Sequence, residues 1–267
     1  MTQPDPSEIP VVVLCGGQGT RIREASEKLP KPLIDIGGKP ILWHIMKLYG
    51  AHGFRRFILC LGYKAWEIKD YFLRYEEMMS DLTIRVGGEN PGIEYLARES
   101  LDDWEVTLVD TGIDTGTGGR IQKVGHLIDT EYFMVTYGDG LGDVDLSGEL
   151  KMMAEKKLTA MVTGVQPTSR YGELGVTDGL VTNFAEKPQT EDWVSGGFFA
   201  FHRDFLDRLP TDDPEHFFER GPIQTVSHDK GLGLFPHEGF WMGMDTFREY
   251  SALNEMWASG SAPWKIW

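Results

Sequence analysis

The sequence predicts an α/β protein built on one doubly wound, mostly parallel mixed sheet, with antiparallel hairpin additions late in the chain. Three observations lead there. Short, continuous apolar runs at Ile9–Leu14 and Phe57–Leu61 end near glycine, the pattern of strands covered on both faces. Between them "ILWHIMKLYGAH" (Ile41–His52) carries apolar residues at helical spacing, so the opening unit reads strand, helix, strand. Past Val165 that alternation gives way to glycine-punctuated hairpin patterns.

In chain order, a second helix is expected over Lys64–Met79, followed by an extended Leu82–Val86. Further strands are expected at Val106–Asp110, Tyr132–Thr136 and Thr159–Val165, separated by helices near Thr117–Ile128 and Leu146–Lys157. "ELGVTDGLVTNFAEKP" reads as a hairpin turning at Asp178-Gly179, because Asp-Gly suits the positive-φ positions of a tight turn. "SGGFFAF" (Ser195–Phe201) reads as another strand. The chain is read as a single domain over residues 1–267. Residues 1–8 form a flexible polar tail, and about 246–267 a C-terminal helix with an aromatic packing or subunit-contact tail. Ligands of such sheets bind beyond the carboxyl ends of the parallel strands, which selects the loops to read.

Composition narrows the function classes. With 267 residues, 41% of them hydrophobic, the chain can bury a sizeable core. Net charge is −15, from 41 acidic and 26 basic residues, which argues against broad attachment to nucleic acid or anionic lipid. An anionic ligand therefore needs a locally basic site. No apolar span of membrane length and no secretory leader pattern is present, so a cytoplasmic protein without a membrane partner is expected. Cys15 and Cys60 lie in or just after apolar runs and are read as buried and reduced.

Four stretches at strand ends carry candidate chemistry. Gly16-Gly17-Gln18-Gly19-Thr20-Arg21 follows the first strand, and glycines there let successive N–H groups approach an anion. It is neither a P-loop nor a complete dinucleotide fingerprint, but Arg21 and Lys31 add fixed cations that suit phosphate; the alternative is a solvated basic loop. In "TYGDGLGDVD", Asp139 projects from the end of the strand before it, placed to hold Mg²⁺. In "GFWMGMDTFRE", Asp245 is either the second metal-holding carboxylate or the N-cap of the helix that follows. In "EKP", Lys187 offers a point charge to a phosphate or is an exposed turn lysine.

Taken in this order, "GGQGTR", "PKPLIDIGGKPILWHIMK", "TGGRI", "TYGDG", "EKP", "GGFF", "GFWMGMDT" and "APWKIW" resemble the sugar-1-phosphate nucleotidylyltransferases. Within that family the similarity is to the branch that uses CTP and glucose 1-phosphate, and it runs from about Val11 to Trp267. The resemblance implies a Rossmann-like fold, CTP and a sugar 1-phosphate (α-D-glucose 1-phosphate first) as substrates, Mg²⁺ as cofactor, CDP-sugar and pyrophosphate as products, and a homo-oligomer. It implies Lys31 and Arg21 as catalytic cations, and Leu14, Gly16, Gly17, Gly19, Thr20, Arg21, Lys31, Arg120 and Asp139 at the nucleotide. It implies Tyr137, Glu186, Lys187, Ser195 and Gly196 at the sugar phosphate, and Asp139 with Asp245 at the metal. The chain departs from the family's usual pattern at Ser195, where asparagine precedes "GGFF", at Gly116, where methionine stands, and around Tyr171. These departures leave the chemistry in place and bear on which sugar is used.

Two other readings have features of their own. "DVD" (Asp143–Asp145) mimics the metal motif of glycosyltransferases that consume nucleotide sugars, a class with no use for the Arg21/Lys31 loop. A non-catalytic nucleotide sensor would bind CTP tightly without turnover. Pyrophosphate release from CTP and a sugar phosphate separates the first reading from both.

Overall fold

The computed structural model describes residues 4–17, 29–88, 90–98, 102–169, 171–186, 188–190 and 192–267. Its main sheet has seven strands, numbered here in chain order: β1 Pro10–Leu14, β2 Arg56–Leu61, β3 Glu105–Asp110, β4 Tyr132–Tyr137, β5 Ala160–Val165, β6 Val194–His202 and β7 Leu232–His237. Their spatial order is β7-β5-β6-β4-β1-β2-β3. Strands β3, β2, β1 and β4 run parallel; β6 pairs antiparallel with both β4 and β5, and β7 joins β5 in parallel.

Alternation along the strands explains the double winding. Val11, Val13, Phe57, Leu59, Met134 and Met161 face one core, packed by α1 (Ile41–Ala51), Ile68 of α2 (Ala65–Leu73) and α4 (Leu146–Lys156). Val12, Ile58, Cys60, Phe133 and Val135 face the other, packed by α3 (Thr117–Val124) and α5 (Pro222–His228). A strand with apolar residues at every position can satisfy two cores at once, which is why these runs read as continuous. α6 (Phe247–Ala258) and the segment after it close the first core, where Trp264 is fully buried and donates its indole N–H to His44. The aromatic tail thus packs within its own chain. Burial pulls His44 down to about 4, so it is the neutral acceptor of that bond.

The predicted elements stand with local differences. The helix expected over Lys64–Met79 breaks at Arg74 into α2 and a short turn, Tyr75–Met78, and that expected over Thr117–Ile128 passes at Gly125 into a 3₁₀ turn. The extended Leu82–Val86 belongs to a hairpin, Ser80–Arg85 with Gly92–Arg98, outside the main sheet. The late hairpin, Glu173–Thr177 with Leu180–Ala185, turns at Asp178 and Gly179 with φ of 51° and 79°, and also stands apart as its own two-stranded sheet. Both cysteines are free and buried, and burial pushes Cys60 up to about 12, which removes thiolate chemistry at working pH. Among the described residues no helix is long and apolar enough to cross a membrane.

One buried acid has a measurable consequence. Glu149 of α4 is fully buried against Thr163 of β5, and burial pushes its carboxyl up to about 8, partly offset by Thr163. The native state keeps this proton where the unfolded chain has lost it. Stability should therefore fall as pH rises from about 4.5 to about 8, by up to about 1.4 kcal/mol per unit, and level off above. Glu149→Gln should flatten that slope in denaturant titrations across the window; an unchanged slope would show that Glu149 does not titrate there.

Candidate active site

The carboxyl ends of β1, β2, β3 and β4 share one edge of the sheet, and a cleft of about 680 Å³ opens above it. Leu14, Gly16 and Gly17 line it after β1, Ile113–Thr117 and Arg120 after β3, and Tyr137 and Asp139 after β4. Lys31 and Asp245 complete that wall.

Three charged residues far apart in sequence meet there. Lys31 Nζ lies 2.6 Å from Asp139 Oδ2 and 2.7 Å from Asp245 Oδ1. Lys31 is fixed in a 3₁₀ turn, Lys31–Leu33, bracketed by Pro30 and Pro32. The two aspartates are brought together by a two-stranded ribbon, Gly140–Gly142 against Trp241–Gly243, with Gly243 opposite Gly140 and Met244 N–H donating to the Asp139 carbonyl. Burial works against the Lys31 charge, yet the two carboxylates outweigh it and hold its pKa above the ordinary lysine value, so the ammonium is charged at any working pH.

The choice left open for Asp245 is decided by the helix beside it. The N-cap of α6 is Thr246, whose hydroxyl accepts from Glu249 N–H while the Glu249 carboxylate accepts from Thr246 N–H, a full capping box. Asp245 stands one residue outside, its carboxylate directed at Lys31. The alternative of Asp245 as the cap is thereby corrected: the residue with the shorter reach to the first turn takes that role.

Arg120 forms the floor. Its buried guanidinium donates to the carbonyls of Leu61, Gly16 and Ile113 and to the Thr111 hydroxyl, tying together the loops after β1, β2 and β3. At Gly16 a Cβ would fall 2.0 Å from Arg120 Nη1, so this glycine is required for the arginine to lie beneath the loop.

A segment without any sequence signal also reaches the cleft. The run from Asp213 to Glu219 is fastened to the first turn of α3: Gly118 and Gly119 N–H donate to His216 O at 3.1 and 3.3 Å, and Gly116 N–H to Pro214 O at 3.0 Å. Glu215 and Phe217 thereby line the cleft beside Thr117. Gly116 is what admits them, since a Cβ there would fall 2.2 Å from the carbonyl oxygens of both Glu215 and His216. A methionine at this position is incompatible with the segment as seated, which gives the departure at Gly116 a physical reason.

Of the remaining residues expected at the site, Glu186 ends the late hairpin and Ser195 and Gly196 open β6; none of the three lines the cleft. Ser195 Oγ accepts from Gly197 N–H at 3.4 Å, and the Gly196 carbonyl accepts from Trp241 Nε1 at 2.7 Å. Gly19, Thr20, Arg21 and Lys187 lie outside the described residues. Among the described residues no group of three or more His, Cys, Asp or Glu side chains gathers as a metal cage.

A family model described as nucleotidyl transferase matches residues 10–258. The chain is 41% identical to a probable glucose-1-phosphate cytidylyltransferase of Bacillus subtilis, over 96% of this chain and 99% of the relative. It is 40% identical to a glucose-1-phosphate cytidylyltransferase of Salmonella typhimurium, over 96% and 98% of the two chains. Among solved structures, a putative glucose-1-phosphate thymidylyltransferase of Bacillus anthracis superposes with a TM-score of 0.68 at 14% identity, over 96% of this chain and 95% of the other, a likeness of fold.

Proposed function

The chain belongs to the nucleotidyl transferase family, and on that premise we propose that it condenses CTP with a sugar 1-phosphate, α-D-glucose 1-phosphate first, to a CDP-sugar and pyrophosphate. The observation that supports this most is the cation Lys31, held between Asp139 and Asp245 at a cleft on the carboxyl edge of the sheet. A glycosyltransferase has no need of that lysine, and the "DVD" stretch that suggested one is occupied otherwise: Asp145 caps α4 and Asp143 lies 3.1 Å from His237.

In the reaction, an oxygen of the sugar phosphate attacks the α-phosphorus of CTP in line and pyrophosphate leaves. The attacking group is already ionised near neutral pH, so no enzyme nucleophile is needed; the difficulty is to bring two polyanions together. Lys31 offsets charge at the α-phosphate, with Arg21 assisting. Leu14, Gly16 and Gly17 with Gly19 and Thr20 receive the nucleotide, on the floor that Arg120 braces. Tyr137, Glu186, Lys187, Ser195 and Gly196 serve the sugar phosphate. Asp139 and Asp245 would hold Mg²⁺: two carboxylates already converge on one cationic point, and two hard oxygen donors suit an ion that takes its other ligands from phosphates and water. When bound, Mg²⁺ stabilises negative charge on the phosphates. A homo-oligomer in the cytoplasm belongs to the same reading.

A panel of nucleoside triphosphates and sugar 1-phosphates read by pyrophosphate release tests it. CTP with glucose 1-phosphate should be the best pair; glycosyl transfer without pyrophosphate, or CTP binding without turnover, would overturn the reading. The same panel tests Ser195. Serine offers one hydroxyl where asparagine has a carbonyl and an amide, so the site is roomier and discriminates less between sugars. Ser195→Asn should sharpen the preference for glucose 1-phosphate, and an identical ranking in the two proteins would remove Ser195 from sugar reading.

A further inference from the structure

The segment Asp213–Glu219 ends in a carboxylate with two hydroxyl partners. Glu219 Oε1 accepts from the Tyr137 hydroxyl and Oε2 from the Thr117 hydroxyl. Both partners line the cleft, one from the end of β4 and the other from the first turn of α3. Glu219 is held in place by its neighbour Phe218, whose side chain is fully buried in the second core and whose N–H donates to Thr117 Oγ1 at 3.3 Å. The Tyr137 ring is held too, edge-on to Phe199 with centroids 6.0 Å apart. Neither the phenol nor the carboxylate is therefore free to choose its partner when a ligand arrives.

Hydroxyl arithmetic then sets the polarity of this end of the cleft. A phenol carries one proton and two acceptor positions. With its proton committed to Glu219, Tyr137 presents only an acceptor. Phosphate oxygens near neutral pH are acceptors as well, so an acceptor-only phenol backed by a carboxylate repels them, while a sugar hydroxyl can donate to it.

We propose that Glu219 is a positioning residue for substrate selection: by accepting hydrogen bonds from the Tyr137 and Thr117 hydroxyls it makes this end of the cleft an acceptor for a sugar hydroxyl and turns the phosphate of the sugar 1-phosphate toward the cations. The proposal rests on the nucleotidylyltransferase reading. Glutamine at position 219 keeps the shape but has one accepting and one donating side, so one of the two hydroxyls must reverse.

The test is steady-state pyrophosphate release by the full chain with CTP and glucose 1-phosphate, for wild type, Glu219→Gln, Tyr137→Phe and the double variant. Glu219→Gln should raise KM for glucose 1-phosphate about tenfold, the scale of one mispaired hydrogen bond, and leave KM for CTP unchanged. Because Glu219 acts through the Tyr137 hydroxyl as well as that of Thr117, the double variant should fall short of the sum of the two single effects. An additive cycle, or equal changes in both KM values, overturns the proposal while the activity reading stands. If Glu219→Gln does not fold, Tyr137→Phe decides alone: wild-type KM for the sugar phosphate removes the acceptor role. Wild-type protein that releases no pyrophosphate from any pair in the panel overturns the activity reading and this proposal with it.

Discussion

Lys31→Ala should lower the rate of pyrophosphate release by about 10²-fold or more, in a protein that still folds. The lysine is the cation that the structure places between Asp139 and Asp245, and the carboxylates keep it charged. Its contribution grows as charge gathers around the α-phosphorus, so its loss should appear in kcat more than in KM. Removing it also leaves two carboxylates facing each other in a partly buried site, a like-charge contact that a divalent cation can relieve. The variant should consequently gain more thermal stability from added Mg²⁺ than wild type does. Stopped assays of pyrophosphate with purified, folded variant measure the main effect, and wild-type turnover would sink the catalytic assignment.

Asp139→Asn and Asp245→Asn should each reduce activity by a similar order, about 10²-fold, and shift the Mg²⁺ requirement to higher concentration, since an amide carries no charge to hold a hard cation. The two variants should behave alike, because both residues reach the same ammonium from the two sides of one ribbon. Helix capping gives an internal control. Thr246→Ala should cost about 1 kcal/mol of stability by removing the cap of α6, whereas Asp245→Asn should leave the capping box intact. Thermal melts beside Mg²⁺ titrations separate the two roles: an Asp245→Asn protein that melts early yet titrates Mg²⁺ as wild type does would return this residue to a structural role.

Legibility differed from one part of the fold to another for physical reasons. β1 and β2 were legible because burial on both faces writes an unbroken apolar run, and α1 because its apolar residues recur at helical spacing along a helix sunk almost wholly in the core. β7 was not. "LGLFPH" lies at the sheet edge with every residue half-exposed or exposed and a proline inside it, so neither alternation nor a run survives. The break of the second helix at Arg74 was equally silent, since "KDYFLRYEEMM" keeps good helix formers across it. At the site, Lys31, Asp139 and Asp245 were named from a resemblance and from their positions at strand ends; their spacings of 108 and 214 residues encode nothing by themselves.

By itself the sequence determined the alternation of strands and helices, the carboxyl edge above which the cleft opens, and the residue types gathered in the loops along it. Those follow from local rules, because apolar period and turn chemistry act within a few residues. Only the tertiary structure decided who meets whom. It gave the cap of α6 to Thr246 and so directed Asp245 to Lys31, and it spent the Arg120 guanidinium on three loop carbonyls and the Thr111 hydroxyl. It also seated the 213–219 segment on Gly116, Gly118 and Gly119, which brought Glu219 to Tyr137. A side-chain partner is chosen by distance, and distances between loops are fixed only once the sheet has set where each strand ends.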